Sequence, residues 1–112
     1  MSEVIREVSR EAGGTVVHLH GEIDLHQSPG LHEALVDLCG EKPARLILNM
    51  SEVSYIDSSG VGSLVEIYRR LKRDKGAFVL VAPGSRVMSV LEITRLDKFF
   101  AIVSTQEEAM QM

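Results

Sequence analysis

Tyr55-Ile56-Asp57-Ser58-Ser59-Gly60-Val61-Gly62 sets one carboxylate, two hydroxyls and two glycines between two strongly apolar segments. Upstream, Leu46-Ile47-Leu48 is a short apolar run with the character of a buried strand; downstream, Val61, Leu64, Val65, Tyr68 and Leu71 recur at helical spacing. A strand therefore hands over to a helix here. Asp57, Ser58 and Ser59 are all residue types that accept hydrogen bonds from the free N–H groups of a first helical turn, so each is a candidate N-cap. The two glycines ask for more, because each costs up to about 1 kcal/mol against alanine inside a helix. Where no side chain stands, a phosphate or the backbone of another molecule can come close. The stretch thus reads as a helix cap and, equally, as a contact or modification site.

Working outward, the remaining chain repeats the same handover. Val4 to Val8 reads as a strand and Glu11-Ala12-Gly13-Gly14 as the turn of a hairpin. Thr15 to Asp24 alternates, with Val17, Leu19, Gly21 and Ile23 on one face and Val16, His18, His20 and Glu22 on the other, which predicts a strand buried fully on one face only. Ser28-Pro29 predicts a helix start, with serine as cap and proline at the first helical position. Leu31, Ala34, Leu35 and Leu38 form its apolar stripe and Gly40 its end. The strand from Leu46 leads through Ser51 to Ile56, and the helix that follows runs to about Arg73, with Gly76 as its stop. Its cationic end, Arg69, Arg70, Lys72, Arg73 and Lys75, matches the helix dipole and reads as a solvated face. Ala77 to Ala82 is a further strand closed by Pro83-Gly84, Ser85 caps a helix carrying Val87, Val90, Leu91 and Thr94, Phe99 to Val103 is a last strand, and Thr105-Gln106-Glu107-Glu108 has capping-box spacing.

Strands alternating with helices of this length predict an α/β domain with a mainly parallel sheet, right-handed crossovers, about four packed helices and a first strand added by hairpin. In such a sheet the loops leaving the carboxyl ends of the strands line one edge, where ligands bind. Asp24, Asp57, Ser58 and the Pro83-Gly84-Ser85 turn are therefore expected on one rim. At 112 residues the chain is expected to form a single domain over 1–112.

Composition narrows the function. A net charge of −4 argues against phosphate-backbone binding as the main task. No apolar run approaches the roughly 20 residues of a spanning helix, and Met1 to Arg6 lacks the pattern of a signal peptide, so a cytoplasmic protein without membrane contact is expected. Cys39, the one cysteine, follows Leu38 in the helical stripe and reads as a packed thiol. Enzyme motifs are missing: Ile56 and Asp57, not glycine, stand two places before Ser58 and Ser59, so there is no hydrolase elbow. Val65 stands where a dinucleotide fingerprint needs its third glycine, and no phosphate-binding loop occurs. His18, His20, His26 and His32 cluster in sequence but match no common zinc spacing, so neither metal nor cofactor is expected.

What remains is the serine pair as an acceptor of modification. A phosphate adds about −1.5 to −2 charges at a helix start. The helix tolerates this, since its N-terminus favours an anion by about 0.3–1 kcal/mol. A partner pressed on the same spot does not, because an unpaired charge left in a buried contact costs about 2–5 kcal/mol. Phosphate there ends a complex and leaves the domain folded. The residues do not choose between Ser58 and Ser59.

Asp57-Ser58-Ser59-Gly60-Val61-Gly62, with Gly21-Glu22-Ile23-Asp24 upstream and the same order of elements, closely resembles the bacterial anti-sigma factor antagonists built on the sulfate-transporter and anti-sigma-antagonist (STAS) domain. The resemblance implies that Ser58 is phosphorylated by an anti-sigma factor acting as an ATP-dependent serine protein kinase. Asp24, Asp57, Ser58, Ser59, Gly60, Val61 and Gly62 would form the partner-binding face, with Ser59 as the helix cap. The unphosphorylated form would hold the anti-sigma factor and free a sigma factor, and a metal-dependent Ser/Thr phosphatase would restore it. STAS domains also serve as scaffold subunits of lipid-transport and stress-signalling complexes, the alternative role that the resemblance leaves open.

Overall fold

A computed structural model describes residues 2–112. The strands are β1 (Ile5–Glu11), β2 (Gly14–Ile23), β3 (Arg45–Ile56), β4 (Ala77–Val81) and β5 (Ala101–Val103); the helices are α1 (Ser28–Gly40), α2 (Ser58–Arg73), α3 (Ser85–Ile93) and α4 (Gln106–Met110). They form one mixed sheet in the order β1-β2-β3-β4-β5. β1 pairs antiparallel with β2, and every later pair is parallel, as the alternation of strands and helices predicts.

One face of the sheet carries the main core. Val17 and Leu19 of β2, Leu46, Leu48 and Met50 of β3 and Phe78 and Leu80 of β4 pack against Leu31, Leu35 and Leu38 of α1, Val61, Leu64, Ile67 and Leu71 of α2 and Val87 and Leu91 of α3. Cys39 is buried among them, and that burial pushes its thiol up from the ordinary range. The opposite face is covered by α4, whose Ala109 packs on Val16, Ile47, Val79 and Val81. Val16 is thus fully buried although it lies on the β2 face expected to be open, because a helix too short to carry a strong periodicity covers that end. Farther along the same face His18 and His20 are half-buried and Glu22 is exposed.

Several terminal residues take roles other than those their types suggest. Arg45 reaches from β3 to the Gly13 and Met110 carbonyls at 2.7 and 2.8 Å and also to the Met112 carbonyl, which ties the hairpin turn to α4. Gly40 remains helical, and the left-handed residue after α1 is Lys42. After α2 it is Lys75, while Gly76 is needed for space: a Cβ there would lie 2.9 Å from the Pro43 carbonyl. Ser85 is the first residue of α3, with Gly84 at the N-cap. Phe99 and Phe100 precede β5, after a 3-10 turn at Leu96–Lys98. Thr105 does cap α4, its Oγ1 accepting from Glu108 N at 3.2 Å.

The lengths of the strands decide what shares the rim. β4 ends at Val81 opposite Asn49, whereas β3 runs on beside β2 until Ile23 pairs Ile56. The exits of β2 and β3 therefore coincide. The Pro83-Gly84-Ser85 turn, expected beside them, leaves the sheet at the level of Asn49 and falls short of Asp57.

Candidate functional site

At the end of β3 the chain turns on Asp57, whose extended backbone (φ −108°, ψ −174°) makes it the N-cap of α2. Its Oδ1 accepts from Ser59 N at 3.0 Å, Gly60 N at 3.2 Å and Ser59 Oγ at 2.5 Å. Its Oδ2 accepts from Leu25 N at 3.1 Å, and its own N–H donates to the Ile23 carbonyl at 3.1 Å. One carboxylate thus caps a helix and fastens the β2–α1 loop beside it. The Ser59 hydroxyl above all, with the three backbone N–H groups, holds Asp57 below the usual carboxylate range against the opposing effect of burial. Ser59, expected as the cap, lies within the first turn instead. Asp57 wins because its two oxygens satisfy more donors than one hydroxyl can.

Asp24 orders the turn that leads into α1. Its Oδ1 accepts from the N–H groups of His26 and Gln27, each at 3.0 Å. Gln27 occupies the N-cap without a side-chain bond, so Ser28 is not the cap that its position before Pro29 suggests. Ser28 is buried, donates from Oγ to the Asp24 carbonyl at 2.7 Å and lies 2.8 Å from Ser59 Oγ. The two hydroxyls have two protons for three contacts, so the contact between the first turns of α1 and α2 gains a proton only when one serine turns from its other acceptor.

This network separates the two serines. Ser59 is half-buried with its hydroxyl engaged, while Ser58, at the first helical position, is exposed and its hydroxyl makes no hydrogen bond among the described residues. The glycines separate as well. A Cβ on Gly60 would stand 2.7 Å from Ile56 Cγ1, 2.8 Å from Ile23 Cγ2 and 3.0 Å from the Ile23 carbonyl, so Gly60 lets α2 seat against β2. A Cβ on exposed Gly62 would meet nothing within 4 Å. The access first ascribed to both glycines is thus a property of Gly62 alone. Val61, like Gly60, is buried and supports the site from below.

Beside Gly62 a groove of about 340 Å³ runs between α1 and α2, lined by Leu25, Ser28, Pro29, His32, Ser59, Gly62, Ser63 and Glu66. Leu25, which also lines it, is 73% exposed, an apolar side chain in solvent that the sequence did not single out. The signal was available: Leu25 lies off the Leu31, Leu35, Leu38 stripe and so has no reason to be inside. At the far end His32 Nε2 lies 3.0 Å from Glu66 Oε2, and Arg70 donates to Glu66 at 3.2 Å. No spacing in the sequence announces that cross-helix pair. His18, His20 and His26 lie outside this groove, and among the described residues no group of three or more histidine, cysteine or acidic side chains is placed to hold a metal ion.

Residues 4–109 match the STAS domain family. The chain belongs to that family. It is 31% identical to the anti-sigma-B factor antagonist of Bacillus subtilis (strain 168), over 94% of this chain and 95% of that protein. Among solved structures it is similar to an anti-sigma factor antagonist from Mycobacterium paratuberculosis, with a TM-score of 0.85 and 30% identity over 94% of this chain and 89% of that one. It is also similar to the anti-sigma factor antagonist SpoIIAA. The unphosphorylated form matches with a TM-score of 0.75 at 29% identity, over 95% of this chain and 90% of that one. The phosphorylated form, described as a Bacillus cell fate determinant, matches with a TM-score of 0.70 at 27% identity, over 96% and 95%. As a STAS domain the chain has the five-stranded mixed sheet and four helices described above.

Proposed function

We propose that this STAS domain is a phosphorylation-switched binding protein with no catalysis of its own, working in the cytoplasm. Unphosphorylated, it holds an anti-sigma factor that is also a serine protein kinase and so frees a sigma factor. Phosphorylation of Ser58 ends the complex, and a metal-dependent Ser/Thr phosphatase restores it. The observation that carries this reading is the division of labour between neighbouring serines. Ser58 Oγ is exposed and uncommitted, whereas Ser59 Oγ is held by Asp57 at 2.5 Å. That its relatives are anti-sigma factor antagonists, one of them solved with and without phosphate, agrees with it.

The partner-binding face consists of Asp24, Asp57, Ser58, Ser59 and Gly62 with the α1–α2 groove, and Gly60 and Val61 shape it from beneath. Leu25 supplies apolar area and bare Gly62 admits the partner's backbone. A phosphate on Ser58 stands next to the Asp57 carboxylate, which already occupies the N–H groups of Ser59 and Gly60. It therefore projects toward the partner rather than folding back onto the helix. An unpaired charge buried there costs about 2–5 kcal/mol, which is roughly a thirtyfold to several-thousandfold loss of affinity.

The test is to titrate the host's anti-sigma kinase against the chain by calorimetry and to map the phosphate after incubation with ATP. Ser58→Ala is expected to bind and never release, Ser58→Asp to bind at least thirtyfold more weakly, and the phosphate to lie on Ser58. Equal affinity of Ser58→Asp and the unmodified chain would sink the switch, and phosphate on Ser59 would sink the assignment. Silence of both substitutions, with no phosphate in cells, would mark a constitutive scaffold subunit instead.

A further inference from the structure

The far end of α2 carries a feature that neither the Ser58 site nor the core uses. Between Arg69 and Lys75 five of seven residues are cations, and Asp74 is the only acid. Arg70 is engaged by Glu66, whereas Arg69, Lys72, Arg73 and Lys75 are exposed and form no ion pair among the described residues. Beside them four of the chain's five aromatic rings gather. Tyr68 lies 4.7 Å from Phe99, 5.8 Å from Phe100 and 6.3 Å from Phe78 between ring centres. Phe78 and Phe100 are buried, but Phe99 is 51% exposed, and Lys72 Nζ stands 5.6 Å from the centre of the Tyr68 ring. Tyr68, Arg69, Lys72 and Arg73, with the Glu66–Arg70 ion pair at one side, border a shallow depression of about 630 Å³ along this face.

The helix dipole explains cations in a last turn. It does not explain a half-exposed phenylalanine tilted at 48° against the Tyr68 ring on which Lys72 lies, since a ring that only completed the core would be covered. Cations around an accessible aromatic are the complement of an acidic segment with an apolar anchor. Extended polyanions fit less well. The molecule measures 30 × 27 × 24 Å, and with so many cations in one stretch the rest of the chain is more negative than the overall −4. A nucleic acid or an anionic membrane would reach past the patch onto repelling surface, whereas a short protein segment need not.

We infer that the Tyr68–Phe99 ridge and the free cations of α2 form a second docking surface, for an acidic segment of a partner protein that inserts an apolar side chain beside Phe99. Ser58 and Lys72 stand at opposite ends of α2, about 20 Å apart at the 1.5 Å rise of a helix. The second partner therefore binds whether or not Ser58 is occupied or phosphorylated, and the inference stands independently of the function proposed for Ser58.

The probe is a fluorescein-labelled twelve-residue peptide of Glu and Asp with one central Phe, followed by anisotropy at low salt, with a Ser-centred control. Binding of the Phe peptide is expected, weakened about tenfold or more in the control and in Arg69→Glu/Lys72→Glu and Phe99→Ser chains. Phe99→Leu should retain it, Ser58→Asp should leave it unchanged, and amide shifts should map to Tyr68, Lys72 and Phe99. Circular dichroism separates loss of binding from loss of fold, and Phe99→Leu with the charge reversals decides the matter should Phe99→Ser unfold. The inference is overturned if the reversed chain binds the peptide as well as the unmodified one does, or if the central Phe adds nothing. Tighter binding of a single-stranded oligonucleotide, of phosphatidylserine vesicles or of a second copy of this chain overturns it equally.

Discussion

Asp57 gathers three backbone N–H groups and a hydroxyl on one carboxylate, so its protonation is also a loss of structure. Its folded pKa lies below the unfolded value of about 3.9. The stabilisation it brings is therefore complete above that value and is lost as the pH falls through the lower, folded one. We expect the Asp57 carboxyl carbon to titrate below the ordinary range by NMR, and urea denaturation at successive acidic pH values to show a decline that is shallower in Asp57→Asn. At neutral pH Asp57→Ala should cost about 1–2 kcal/mol, the loss of a good N-cap. The glycines give a paired prediction at the same scale. Gly60→Ala forces a methyl group into Ile56 and Ile23 and should destabilise by about 1–3 kcal/mol. Gly62→Ala meets nothing and should stabilise by up to about 1 kcal/mol while weakening capture of the kinase. Thermal melts read the first effect of each and calorimetric titration the second. From the sequence alone the two glycines are equivalent, and the positions of Ile56 at the end of β3 and Ile23 at the end of β2 tell them apart.

Among elements, those with long periodic patterns were legible in the sequence, and their ends were not. α2 spans Ser58–Arg73, close to its expected extent, because a sustained apolar stripe needs no knowledge of its neighbours. The caps were ambiguous, because Asp, Ser and Gly at adjacent positions offer similar chemistry and the surrounding loops choose among them. Asp57 displaced Ser59, Gln27 stands at the N-cap in place of Ser28 with no side-chain bond, and Gly84 preceded Ser85. Contacts between elements left even less trace, as the His32–Glu66 pair and the Arg45 clamp illustrate. That clamp predicts its own experiment. Arg45→Ala removes the donors to the Gly13 and Met110 carbonyls and should cost about 1–3 kcal/mol. Hydrogen exchange should rise first at Ala109 and Met110, because α4 is five residues long and, the Arg45 clamp apart, is held mainly by the packing of Ala109 and Met110 and the Thr105 cap.

For the molecule as a whole, the proposed switch requires that a phosphate be felt by the partner and hardly by the fold. Ser58 meets that requirement by its exposure at the first position of α2, and its phosphate has the dipole in its favour and the Asp57 charge against it. The phosphorylated chain should melt within about 1 kcal/mol of the unmodified one, as calorimetric unfolding of both forms will show, and a collapse of the fold would count against the proposal. The order of strands in the sheet repeats their order in the chain, and that bears on how the protein is made. As it leaves the ribosome, amino end first, each new strand finds its neighbour already in place, and none has to be threaded between two older ones. Every hydrogen bond that Asp57 makes joins it to residues between Ile23 and Val61, so the turn into α2 has all its ties before the strands β4 and β5 have been synthesised.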